Sequence, residues 1–225
     1  MLTSRLRGHR GMSLVELMVG MAIGLIVTLG AMSMLVQIQS SSWNLQIETR
    51  LNQDLRAAAD MVARDLRRSA YWGNAISGTQ AVGGSGATAQ NPYAAVSGST
   101  GTGMAYRFSR DDIENNVLDD AEQFGFRLGG GVLQMQTSNG VWQDLSDSKN
   151  LLVTGFTITP NETTLPLGNL CTRVCAPGAP NCPTSQVRSY QIVLAGQAVR
   201  DATVTRSMSL AVRVRNDRLQ GQCPV

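Results

Sequence analysis

The chain has 225 residues and a formal charge of +3, but Arg5, Arg7 and Arg10 carry that excess ahead of Gly11, and the 19 basic residues less these three balance the 16 acidic ones. The arginines that remain are scattered and read as a solvated surface, so nucleic acid is not expected as a partner. The one histidine, His9, lies in the same leading segment, which excludes a Ser-His-Asp triad, a Cys-His pair or a histidine-held metal from the rest of the chain. No enzyme activity, cofactor or metal site is expected.

Residues 1–11 are short, basic and polar, and residues 17–36 form an uncharged run of 20 residues. At about 1.5 Å per residue such a helix covers roughly the 30 Å of a bilayer's hydrocarbon. The arginines ahead of it hold its start in the cytoplasm, so the remainder is expected on the far side of the inner membrane. An ordinary secretory signal would be shorter and end in a small-residue cleavage site, whereas the candidate triplet Ala31-Met32-Ser33 is buried within the apolar run. Glu16 stands at the start of that run, where a carboxylate is costly unless it finds a partner.

The junction Gly11-Met12-Ser13-Leu14-Val15-Glu16-Leu17 resembles the type III signal peptide of the type IV pilin superfamily. That resemblance implies cutting after Gly11 by a membrane-embedded prepilin peptidase and N-methylation of Met12. It also implies that Glu16 pairs with the N-terminal amine of a neighbouring subunit as the filament assembles. Met12 stands where most members carry Phe, and Ser33 where major pilins carry a helix-kinking proline. A helix running from Met12 would bring the Met12 amine and Glu16, four residues apart, to one level. Gly20 and Gly24 form a G-x-x-x-G face suited to close helix packing.

Residues 37–73 read as an amphipathic stem that continues the helix, its apolar stripe Leu51, Leu55, Ala58, Val62 and Leu66 recurring at three- and four-residue steps. The other faces carry Asp54, Asp65, Arg68 and further charges, with Arg50/Asp54, Arg56/Asp60 and Asp60/Arg64 placed for i,i+4 pairing. Gly73 is the expected left-handed cap, and Tyr71 and Trp72 the expected packing anchors. The stretch DLRRSAYWGNA, residues 65–75, resembles the helix end of PilW-like minor pilins.

Residues 74–103 are rich in Gly, Ser, Ala and Thr and read as a long loop with little core. Residues 104–225 hold strand candidates at 104–108, 124–128, 132–136, 141–145, 151–158, 187–194 and 204–214. In the last of these Met208, Leu210, Val212 and Val214 alternate with polar or small residues, as a sheet with one face on the helix requires. The Gly129-Gly130-Gly131 run reads as a turn. The expected fold is α+β and pilin-like: a long N-terminal helix packed on an antiparallel sheet.

Cys171, Cys175, Cys182 and Cys223 lack zinc-ligand and redox Cys-x-x-Cys spacings, so two disulfides are expected in an oxidising compartment, with all three connectivities open. The acidic stretch from Asp111 to Glu122 lacks the calcium-loop pattern and reads as a solvated loop.

Together these features point to a PilW-like minor pilin that assists assembly of a type IV pilus and hence twitching motility or adhesion. Its partners would be other pilins, reached through the N-terminal helix, the prepilin peptidase, and the inner membrane before the subunit passes to the cell surface. A minor pseudopilin of a type II secretion system is the alternative, and a tip adhesin or DNA-binding module is a reading of another class.

Overall fold

The computed structural model describes residues 11–79, 89–97, 103–176, 178–179 and 182–224. The leader, with Arg5, Arg7, His9 and Arg10, and most of the Gly/Ser-rich stretch lie outside the described residues. The chain divides into two compact units, Met1–Gln46 and Ile47–Val225.

Helix α1 spans Leu14–Arg67. It is continuous through Ser33, where no proline interrupts the backbone hydrogen-bond ladder. In the first unit its described residues are all exposed.

In the second unit α1 turns a stripe inward: Leu51, Leu55, Ala58, Ala59, Val62, Ala63 and Leu66 are buried. Spacings of three and four put them on one face, and the three alanines let strands come close to the helix. Asp65 departs from the expected outward charge. It is buried, takes a hydrogen bond from Arg68 at 2.5 Å and a longer one from the Tyr106 hydroxyl at 3.4 Å. Of the i,i+4 pairs, Arg56 and Asp60 approach to 4.0 Å on an exposed surface, where such a contact stabilises by only a few tenths of a kcal/mol.

Among the described residues eight strands follow, in two antiparallel sheets rather than one. The first is a meander, β1 (Gly103–Arg107), β2 (Gln123–Gly129), β3 (Val132–Ser138) and β4 (Val141–Asp144), in that spatial order. Gly130 and Gly131 make the β2–β3 turn with φ of 60° and 79°, the left-handed pair that a two-residue hairpin demands. The second sheet has β5 (Leu151–Pro166), β6 (Thr184–Ala198) and β7 (Asp201–Arg213), with the short β8 (Arg218–Gln220) also pairing β6. Both sheets and the helix stripe feed one core, in which Tyr106, Phe108, Phe124 and Phe126 stack and Phe156, Ile158, Tyr190, Ile192 and Leu194 close the other side.

Strand β5 buries Leu151 and Val153 and then Phe156 and Ile158, a change of parity explained by a bulge between Val153 and Gly155. Beyond Thr159 it stays paired with β6 as far as Pro166↔Thr184 while leaving the core, so it runs eight residues past its expected end.

The helix end differs from expectation. Arg67 is the last helical residue, and Ala70, with φ of 60°, takes the left-handed conformation expected of Gly73. Tertiary donors replace a glycine cap: the Arg215 amide reaches the Arg67 carbonyl at 3.1 Å, the Asn216 side chain that of Ser69 at 3.1 Å and the Asn91 side chain that of Ala70 at 2.9 Å. Gly73 serves close approach instead, since an added Cβ would lie 3.0 Å from a Glu114 carboxylate oxygen.

Candidate functional site

Gly11, Met12 and Ser13 are in irregular backbone, and α1 takes over at Leu14. Its start follows from Ser13. The hydroxyl oxygen accepts the Glu16 amide N–H at 3.2 Å, and the carbonyl accepts that of Leu17 at 3.2 Å. A short polar side chain thus satisfies one of the amide donors that a helix start leaves without an intrahelical partner. Hydropathy does not single out Ser13, yet Ser13-Leu14-Val15-Glu16 has the S-x-x-E spacing of a capped helix start.

Met12 stands two residues before the first helical one, so the helical i,i+4 relation to Glu16 does not hold in the uncut chain. Extending the helix to Met12 would force Ser13 into helical geometry and break its cap. The bond between Gly11 and Met12 therefore sits in exposed, non-helical backbone, the form in which a chain enters a peptidase. Glu16 is exposed in the first turn, where the positive end of the helix dipole favours a carboxylate.

Downstream, the helix is long and apolar enough to cross a membrane. Its hydroxyls are satisfied within the helix: Thr28 donates to the carbonyls of Gly24 and Leu25 at 2.9 Å each, and Ser33 to that of Gly30 at 2.8 Å. That arrangement leaves little hydrogen-bonding capacity for lipid to frustrate. A Cβ built on Gly20 or Gly24 would meet nothing within 4 Å.

In the second unit the cysteines join as Cys171–Cys223 and Cys175–Cys182. The first links the start of the cysteine-rich segment to the end of the tail, and the second closes a short loop within that segment. Trp72 is buried and donates its indole N–H to Asn116 at 2.9 Å, whereas Tyr71 is half-exposed and does not anchor the turn.

The acidic stretch is more than a solvated loop. Glu122 is buried and accepts the amides of Arg110 at 2.9 Å and Asp119 at 3.0 Å. Glu114 accepts the Gly73 amide at 3.0 Å, the Asn116 amide at 2.9 Å and the Tyr93 hydroxyl at 2.9 Å. Tyr93, from the stretch expected to hold little core, is fully buried, and its hydroxyl pKa is pushed up by burial and then by Glu114. Among the described residues no group of three or more His, Cys, Asp or Glu is placed to hold a metal.

Two sequence families match the chain. The prokaryotic N-terminal methylation motif covers residues 6–32, which include the junction and most of the apolar run. The family described as prepilin peptidase-dependent protein B covers residues 44–214, three quarters of the chain, from the stem to the core residue Val214 just after β7. No curated protein and no solved structure matches.

Proposed function

This chain belongs to the prepilin peptidase-dependent protein B family of type IV pilin-like proteins, components of a type IV pilus or pseudopilus, and from that premise we propose that it is a PilW-like minor pilin that primes or caps a type IV pilus. The observation that carries the reading is the junction itself: an exposed, non-helical bond after Gly11, followed at once by a serine-capped helix with Glu16 in its first turn.

Cutting after Gly11 would turn Met12 into an N-terminus, and methylation would leave its amine able to carry a positive charge at membrane depth. Glu16 of an incoming subunit is the counter-charge for a neighbour's amine. Each offsets the cost of burying the other and fixes axial register, and removing one strands the other. The role is assembly, with no reaction catalysed by this chain.

Mass spectrometry of the mature protein is expected to give N-methylated Met12 as the first residue. Glu16→Ala should still be cut and should fail to enter filaments, and normal incorporation would overturn the pairing mechanism. Deleting the gene should abolish surface pili and twitching, while loss of exoprotein secretion with intact pili would assign the chain to a type II secretion pseudopilus.

A further inference from the structure

The second unit contains a cavity of about 1020 Å³ between the turn after α1, residues 89–94, the tail at 216–224 and the Cys175–Cys182 disulfide. Arg188 of β6 forms part of its wall and is 3% exposed. Its Nη1 donates to the Ala94 carbonyl at 3.1 Å and its Nη2 to the Asn216 carbonyl at 3.2 Å, both neutral acceptors. Its Nε is buried with no hydrogen-bond partner.

Among the described residues no carboxylate comes within 4.0 Å of this guanidinium. Glu162, opposite Arg188 across the β5–β6 ladder, is exposed and falls outside that distance, and Asp217 in the cavity wall is paired with Arg213 at 3.2 Å. A buried cation is expensive without a counter-charge, and guanidinium presents five donors of which two are used here.

We propose that this cavity receives an acidic peptide segment of a neighbouring pilin, with Arg188 as the anchor for its carboxylate. The volume is that of a ligand pocket, larger than one side chain needs. Gln90 adds an amide to the wall, and an amide both donates and accepts, as a peptide main chain does. A guanidinium is the cation best matched to a carboxylate. The identity of the partner rests on the pilus reading, but the cavity's preference for acidic peptide is measured without a pilus.

The test is fluorescence anisotropy of labelled hexaglutamate and hexaglutamine with the full chain in detergent, oligogalacturonate serving as competitor. Hexaglutamate should bind saturably and hexaglutamine should not. Arg188→Gln is expected to weaken binding about tenfold or more, the loss of one charge-assisted contact. Arg56→Gln, an exposed arginine of the stem, should leave it unchanged. Should Arg188→Gln fold poorly, Ala75→Trp, at an exposed alanine of the cavity wall, blocks the space while leaving Arg188 in place and should abolish binding. Equal binding of both peptides, no saturable binding, preference for the acidic sugar, or indifference to Ala75→Trp would each overturn the proposal. Loss of the pilus phenotype assignment with peptide selectivity intact would instead remove only the proposed function.

Discussion

Glu114 ties together the turn after the stem, the residue 89–97 segment and its own loop through Gly73, Tyr93 and Asn116. Burial alone would raise its pKa, but hydrogen bonds from Ser109, Asn116, Tyr93 and Gly73 outweigh that and hold it below the usual 4.5. A depressed carboxylate contributes stability that is fully present above its unfolded pKa and lost as pH falls through the folded value. Thermal melts at a series of pH values should therefore show the wild-type head weakening below about pH 4.5. Glu114→Gln should be less stable at neutral pH and flatter across that acid range, and parallel profiles would exclude the role. In the sequence Glu114 is one more acid in an acidic stretch. Of its partners, Gly73 and Tyr93 lie 41 and 21 residues away, and no local pattern encodes them.

At the scale of elements, the cysteine staples differ in what they constrain. Cys171–Cys223 closes a span of 52 residues and Cys175–Cys182 one of 7. By loop-closure entropy the first is worth about 4 kcal/mol and the second about 2. Cys171→Ser with Cys223→Ser should thus lower the denaturation midpoint of the head more than Cys175→Ser with Cys182→Ser, and the reverse order would refute the assignment. The helix stripe, the seven longer strands and the Gly130-Gly131 turn were legible because each is a periodicity or a turn signal within a few residues. Three features were not. Strand β8 is three exposed residues without alternation. The bulge in β5 hides its inward set by switching parity, and the left-handed Ala70 is imposed by donors from Asn91, Arg215 and Asn216 that no window around the helix end contains.

For the whole molecule, the family match to residue 214 extends kinship through β7, well past the junction and stem where the motifs are concentrated. Substituting Gly20→Leu with Gly24→Leu is expected to leave head melting unchanged, because in the single chain a side chain at either position meets nothing within 4 Å. The same pair should reduce co-purification with other pilins if these faces meet neighbouring helices, and unchanged recovery would remove the packing role of the G-x-x-x-G face. The tertiary cap on the stem also sets an order of events. The Ser69 carbonyl is satisfied by a side chain 147 residues later, and that of Arg67 by the amide of Arg215. As a chain is made from its N-terminus, the helix end stays open to water until nearly the last strand has emerged. A subunit stalled or truncated before Arg215 would therefore have a stem with an unfinished end, and the tail's arrival is what closes it.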